Sequence, residues 1–286
     1  MIPGDPVLRI LGTQANPTQV EQLRHELGLD KPIIVQYGSW MWGIFHGDLG
    51  KSLLYHEDVV ALLSERLPVS AFLAFLALLL SGVVGILAGV ISAVRRGDIL
   101  DAIISLFANT AVAIPTFFLG IVGIYIFGLR LGWLPIQGWT SPLEDFEKSL
   151  SQLVMPVIAL AIPNIAVFTR QTRSSMLEAI HQDYVRTAYS MGLTQYIVLF
   201  KYALRNALTP VVTLIGMALA YLITGAVLVE TVFNIPGIGR LLVRAALDSD
   251  YLIVQSSVLL IGTIVCLTNL LVDIIYGWID PRIRYR

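Results

Sequence analysis

The sequence contains little cysteine, histidine and charge, and each shortage excludes a class of protein. Its one cysteine, Cys266, lies in an apolar run, so neither a disulfide framework nor a cysteine metal cluster is expected. Charged residues make up 14% of the 286 residues and the formal net charge is −1, which gives a nucleic-acid partner no electrostatic support. His25, His46 and His56 have no second ligand at helical or turn spacing, so no metal site is expected.

Long apolar runs fill most of the chain. Hydrophobic residues make up 56% of the sequence and the mean hydropathy is +0.76, values typical of a polytopic membrane protein. Five runs are long enough, or nearly long enough, for a helix to cross a hydrocarbon core of about 30 Å. These lie at residues 69–94, 99–127, 153–168, 210–229 and 253–278. The sequence therefore predicts an all-α integral membrane protein, a helical bundle with five spans and no separate catalytic domain.

Prolines and an asparagine interrupt two of these runs. Pro115 and Asn109 lie inside the second run, where proline kinks a helix and an asparagine in lipid needs a partner. Pro156 and Pro163 break the short third run, and broken spans tend to border a cavity. Pro115 and Asn109 suit a helix that lines a transport path, although helix packing explains them equally well.

Lysine and arginine counts predict the orientation of the chain. Three segments on one side of the membrane, at 95–98, 170–206 and 280–286, contain ten of these residues. The short loops on the opposite side contain four. The positive-inside rule therefore places the central loop and the C-terminus in the cytoplasm. We expect residues 1–67 to form an extracytoplasmic N-terminal segment and residues 68–286 a transmembrane domain, with a cytoplasmic loop at 173–206.

The N-terminal segment is polar to amphipathic. A helix is predicted from about Pro17, and Trp40 and Trp42 suit a membrane interface. The triplet Gly-Lys-Ser at 50–52 matches the end of a phosphate-binding loop, but Phe45 occupies the position of that motif's first glycine. Nucleotide binding is therefore not expected in this segment.

One long, mixed-charge segment, residues 177–210, lies between two apolar runs. It begins with a short amphipathic helix for which Asp183 is the predicted N-cap. One face of this helix carries four residues at i, i+1, i+4 and i+7: Tyr184, Val185, Ala188 and Met191. Gly192 ends the helix, because glycine takes a left-handed backbone without a Cβ penalty, and a second helical run follows at 194–208. Such a helix is suited to taking up a movement of a partner protein.

A second distinctive segment, residues 230–251, follows the fourth run. Pro236, Gly237 and Gly239 force a turn, and a short helix is predicted at 241–247. Glu230 has two equally good interpretations. It is either a functional carboxylate at the membrane interface, or it caps the turn by accepting backbone N–H bonds.

Both segments resemble the permease subunits of ABC importers, in particular the dipeptide, oligopeptide and nickel permease family. The first resemblance is carried by DYVRTAYSMG followed by YALRNALTPVV. The second is carried by E-x-V-F and P-G-x-G-R-L-L, followed by an acidic residue and a tyrosine before an apolar span. The phrases PGDP, LGLDKP and GDLGKS resemble the extracytoplasmic segment after the family's first membrane helix. The resemblance covers essentially the whole chain.

The resemblance implies that residues 183–192 are a coupling helix, which docks into a groove on an ATP-hydrolysing subunit. The candidate coupling residues are Asp183, Tyr184, Arg186, Thr187, Ala188 and Gly192. The candidate structural or gating residues are Pro115, Asn109, Glu230, Pro236, Gly237 and Gly239. Most of the wider superfamily has Glu-Ala-Ala where this chain has Arg-Thr-Ala at 186–188, so no glutamate contact is expected here.

The resemblance also implies the partners. These are a second similar permease chain, two cytoplasmic ATPase subunits and an extracytoplasmic substrate-binding protein, in the inner membrane of a bacterium or archaeon. The chain is expected to be no enzyme and to bind no cofactor, since the ATPase uses ATP and Mg²⁺. Peptides are the expected cargo, with nickel or oligosaccharides as alternatives. The family has a membrane helix just before PGDP, so that helix is expected to be missing here through a misassigned start or a truncation.

Two other classes of membrane protein fit less well. An ion-coupled secondary transporter would need an internal repeat and charges at mid-membrane, whereas Asp101, Glu230 and Asp273 lie near span ends. An intramembrane hydrolase would need a histidine beside its nucleophile, and the only histidine beyond the N-terminal segment is His181, in the central loop. An ATPase that co-purifies with the chain would distinguish the permease from both.

Overall fold

The computed structural model describes residue 7 and residues 16–26, 28–52 and 54–279. Apart from one isolated β-bridge, between Lys51 and Asp58, the regular structure of these residues is helical. The helices are α1 Pro17–Glu26, α2 Ile33–Phe45, α3 Val59–Val94, α4 Ile99–Ala111, α5 Thr116–Gly123, α6 Phe146–Ile180, α7 Asp183–Ser190, α8 Gln195–Ile197, α9 Leu204–Phe233, α10 Ile238–Leu247 and α11 Tyr251–Ile279. The π-helical segments Ile124–Arg130 and Val198–Ala203 continue α5 and α8. The phrase PGDP and the basic segment 280–286 lie outside the described residues.

The long helices confirm an all-α membrane bundle. Four helical stretches are long and apolar enough to cross a bilayer, or six if two bent pairs are each counted as a span. One bent pair joins α4 to α5, at 106°, and the other joins the end of α9 to α10, at 77°. Four of the five predicted runs therefore correspond to unbroken stretches, and the second run corresponds to the α4–α5 pair. The other bent pair lies mostly in the distinctive segment at 230–251.

The centre of the bundle is the contact of α6 with α3. A Cβ added at Gly89 would lie 2.5 Å from the Thr172 Cβ, and one at Gly85 would lie 2.7 Å from the Phe168 Cβ. Both glycines are therefore required for the two helices to approach this closely. Farther along, α9 closes the core, which includes Leu73, Ala77, Leu160, Leu222 and Phe233.

The predicted break in the third run is wrong. α6 continues without interruption from Phe146 to Ile180, and Pro156 and Pro163 lie inside it. Most of its apolar side chains are buried against neighbouring helices, including Leu160 and Phe168. Packing on several sides therefore holds the helix together where proline removes a backbone donor. The cavity beside this run was inferred from the break, so without the break that inference has no support.

The break lies in the second run instead. α4 ends at Ala111, residues 112–115 form a turn, and α5 begins at Thr116 in a new direction. Pro115 is the N-cap of α5, with an extended backbone at φ −61° and ψ 138°, so it does not kink a continuing helix. The prediction that Pro115 kinks a continuous helix is therefore wrong, whereas the two helices together are still apolar and long enough to count as one broken span.

Other runs extend beyond their predicted limits. α3 begins at Val59 and contains Pro68, so the division at residue 67 falls inside a helix and remains a prediction. The helical run predicted at 194–208 continues through Pro210 into α9. The predicted helix at 241–247 begins slightly earlier, as α10.

The end of the N-terminal segment is held by a buried carboxylate from the far end of the sequence. The Ser52 hydroxyl donates to Asp250 Oδ2 at 2.6 Å, and the Leu54 N–H donates to the same oxygen at 3.2 Å. Beside them Val59, Leu62 and Leu63 form an apolar cluster with residues of α10 and α11. The serine of the 50–52 triplet therefore has a structural role.

Candidate coupling surface

α7 is a short amphipathic helix that follows α6 after two residues. Val185 and Ala188, at 1% and 3% exposure, face the bundle. They pack in a cluster with residues of α3, α6 and the second π segment: Val90, Met176, Ala179, Val198 and Ala203. The predicted cap is wrong by one position, because Gln182 has the extended cap backbone and Asp183 is the first helical residue. The buried face thus fixes α7 to three other elements.

The turn after α7 has the backbone that the sequence predicts. Gly192 has φ +78°, and nothing lies within 4 Å of a Cβ built on it. Its N–H donates to the Tyr189 carbonyl at 3.0 Å, and the Leu193 N–H donates to the Ala188 carbonyl at 3.4 Å. These two bonds form a Schellman motif, in which the left-handed residue lets the last carbonyls of the helix find donors.

The outer side of α7 and the segment after it carry exposed aromatic and polar side chains. We call them the coupling surface, which comprises Tyr184, Arg186, Thr187, Tyr189, Met191, Tyr196 and Phe200. The Tyr196 and Phe200 rings lie 4.6 Å apart between centroids. A cleft of about 270 Å³ opens between α7 and Tyr202. A patch rich in exposed aromatic residues is typical of a protein interface.

Among the candidate residues outside α7, Glu230 is fully buried where α9 ends. Its Oε1 accepts from the Ser70 hydroxyl at 2.6 Å, and its Oε2 accepts from the Arg240 N–H at 3.1 Å. The same Ser70 oxygen accepts from the Ile238 N–H at 2.9 Å. A Cβ at Gly237 would lie 2.3 Å from the Glu230 Cδ, so only glycine fits there. Of the two interpretations, this geometry matches the carboxylate that caps the turn.

The rest of this turn is equally close-packed. α9 ends at Phe233, and its C-cap is Asn234, which has a left-handed backbone with φ 57°. Pro236 lies two residues later. A Cβ at Gly239 would lie 2.4 Å from the Val227 Cα. Pro236, Gly237 and Gly239 therefore belong to one turn with Glu230, whereas Pro115 and Asn109 lie far from it in the chain, at the α4–α5 break.

The structure also contains an ion pair that the sequence analysis missed. Asp101 of α4 accepts two hydrogen bonds from Arg173 of α6, at 2.7 Å from Nε and 2.9 Å from Nη2. The Ser92 hydroxyl and the Gly97 N–H also donate to this carboxylate. With the Ser105 hydroxyl, at 3.4 Å from Oδ1, five donors contact this one carboxylate. It joins the ends of α3, α4 and α6 close to α7. No local spacing signals a pair of residues 72 positions apart.

Comparison with known proteins shows the family. Residues 85–285 match the family described as binding-protein-dependent transport system inner membrane component, and residues 1–74 match its N-terminal model. A Brucella abortus protein named as a peptide transport system permease is 43% identical over 285 residues, which span 100% of this chain and 91% of that protein. The dipeptide transport system permease protein of Alkalihalophilus pseudofirmus is 38% identical over 305 residues, with coverage of 100% and 92%.

Solved structures share the fold. The inward-facing MetNI methionine ABC transporter gives a TM-score of 0.62 at 18% identity, over 77% of this chain and 96% of that one. An amino acid ABC transporter gives 0.55 at 15% identity, over 78% and 94%. Together with the family match, the helical bundle and its short amphipathic helix α7 lead to one conclusion: the chain belongs to the binding-protein-dependent transport system inner membrane component family and is a membrane-spanning permease subunit of an ABC importer.

Proposed function

We propose that this chain forms part of the translocation path of an ATP-driven peptide importer and receives the movement of its ATPases through α7. Relatives with 43% and 38% identity are named as peptide and dipeptide permeases, which supports a peptide cargo. The observation that carries the coupling role is the two-sided character of α7. Val185 and Ala188 fix it to the bundle, and the coupling surface faces outward.

The packing gives a route for the movement. α7 follows α6 after only two residues, and α6 is a single helix of 35 residues, about 50 Å long at 1.5 Å per residue. A displacement of α7 is therefore transmitted to a rigid element that contacts both α3 and α9. Closure of the ATPases on ATP would in this way switch the path from inward to outward access.

The same proposal includes the orientation and the partners. The excess of lysine and arginine supports a cytoplasmic α7 and C-terminus. The complete importer would then hold a second similar permease chain, two cytoplasmic ATPase subunits that use ATP and Mg²⁺, and an extracytoplasmic binding protein. All of them would assemble at the inner membrane of a bacterium or archaeon, and this chain would perform no hydrolysis itself.

The test is a charge placed on the coupling surface. Met191 is 73% exposed, so Met191→Arg should leave the fold intact and bury an unpaired charge if an ATPase docks there. We expect the ATPase that co-purifies with the chain to fall by at least about tenfold. ATP-driven peptide uptake by reconstituted vesicles should fall with it.

The matched control is Leu143→Arg. Leu143 is 97% exposed and lies just before the opposite end of α6, so the same charge there should leave the ATPase bound. If equal amounts of the ATPase co-purify with Met191→Arg and with Leu143→Arg, the proposed docking surface is contradicted. Uphill uptake by vesicles that hold no ATPase would overturn the whole proposal and favour an ion-coupled transporter.

A further inference from the structure

The break between α4 and α5 leaves backbone carbonyls without donors. α4 ends at Ala111. In a continuing helix the N–H of residue 115 would donate to the Ala111 carbonyl, but residue 115 is a proline and has no N–H. Within the described residues, no backbone N–H donates to the carbonyls of residues 111–114. The chain turns by 106° here, so α5 carries its own N–H groups away from them.

The break lies at the depth of the hydrocarbon core. Ala108 and Ala111 pack against Ile162 and Ala166 of α6. The apolar stretch of α6 at 153–168 has its midpoint between residues 160 and 161. At 1.5 Å per residue, Ile162 and Ala166 lie only about 2 and 8 Å along the helix from that midpoint. The unpaired carbonyls are thus well inside a core of about 30 Å.

One side of the break is open. Asn109, Thr110, Val112, Ala113 and Pro115 are all exposed. An unpaired carbonyl is strongly unfavourable in hydrocarbon, so irregular backbone at this depth occurs only against protein or a water-filled cavity. Helices of a second permease chain would offer few donors, because their own N–H groups are already bonded within each helix. Water and a passing substrate can both supply donors, which favours a cavity.

We propose that residues 109–115 line the translocation path and bind the main-chain N–H groups of the passing peptide. The acceptors are the carbonyls of residues 111–114 and Oδ1 of Asn109, and the sequence NTAVAIP contains no charged residue. Neutral acceptors match the donors that every peptide carries, whatever its side chains. This inference rests on the proposed peptide importer and names the cargo group that the break recognises.

The first test compares two exposed asparagines in the complete importer. Asn109→Ala removes an acceptor at the break, and Asn269→Ala removes an exposed asparagine from α11 as the matched control. At cargo concentrations that saturate the binding protein, we expect only Asn109→Ala to slow dipeptide uptake, by about two- to tenfold, the effect of one hydrogen bond. The preference for the dipeptide over its N-methylated analogue, which lacks the N–H, should also shrink.

The second test measures access to the break. In a Cys266→Ser background, which removes the only cysteine, Ala113→Cys should react with a water-soluble methanethiosulfonate in the assembled importer. The reaction should block uptake, and excess dipeptide with the binding protein should slow it. A cysteine that does not react, or that forms a disulfide with the second permease chain, would overturn the inference.

The two proposals fail differently. An unmodified complex without ATP-driven peptide uptake would remove the proposed function itself. A complex that transports peptides normally, but in which Ala113→Cys is unreactive and Asn109→Ala behaves as Asn269→Ala does, would remove only the role of the break.

Discussion

Gly192 is the residue at which backbone conformation alone can be tested. Its φ of +78° strains any residue with a Cβ, yet nothing lies within 4 Å of that position, so a substitution meets no clash. Gly192→Val should therefore lose about 1–2 kcal/mol from the left-handed backbone, more than Gly192→Asn, because asparagine visits this region. We expect normal membrane insertion of both variants and lower peptide uptake for valine alone. Equal uptake by the two variants would show that the turn is not needed for coupling.

For Glu230, one hydrogen-bond partner could be predicted from the sequence and another could not. A carboxylate before a Pro-Gly turn can be expected to accept backbone N–H bonds, and the Arg240 N–H is such a donor. Its other partner, Ser70, lies 160 positions earlier in the chain. Local patterns report on neighbours along a helix or turn, so they carry no information on a contact between two distant helices. The Asp101–Arg173 pair was missed for the same reason.

At the scale of elements, the α3–α6 contact depends on the absence of side chains. Gly89→Ala would place a Cβ 2.5 Å from the Thr172 Cβ and 2.7 Å from the Thr169 carbonyl oxygen. Because these atoms belong to a packed helix, the helices must separate, and we expect a loss of about 1–3 kcal/mol. The loss should appear as a lower midpoint of thermal unfolding in detergent.

Gly82 offers the control on the same helix. A Cβ there would meet only the Ile215 Cδ1, at 4.0 Å, so Gly82→Ala should be neutral or stabilise the helix by about 0.5–1 kcal/mol. If Gly89→Ala unfolds at the same temperature as Gly82→Ala, the close approach of α3 and α6 is not what holds the bundle.

Helix existence was predictable, but continuity was not. Hydropathy located each apolar run along the chain. The prolines of the second and third runs give the same local signal. In α6 buried apolar side chains hold the helix through Pro156 and Pro163, whereas Pro115 begins a new helix beside an open face. What separates the two cases is packing by distant segments, which a local pattern does not contain.

For the whole molecule, burial falls from the centre of the bundle to its edge. In the most apolar part of each span, 56% of α6 residues are buried, 33% of α3 and only 6% of α11. In the isolated chain, lipid should therefore cover α11 and leave α6 largely protected. We expect a photoactivated carbene probe in lipid nanodiscs to label α11 most heavily, α3 less and α6 least, as mapped by mass spectrometry. Similar labelling of α6 and α11 would contradict this arrangement.

The bond between Ser52 and Asp250 has a consequence for biosynthesis. Its two residues are separated by 198 positions. At a synthesis rate of about 5–20 residues per second, the serine leaves the ribosome roughly 10–40 s before the aspartate. Throughout that interval the nascent polypeptide cannot close this bond or the apolar cluster beside it. A chaperone or protease that acts on unfinished chains would therefore find the segment around Ser52 accessible until translation is nearly complete.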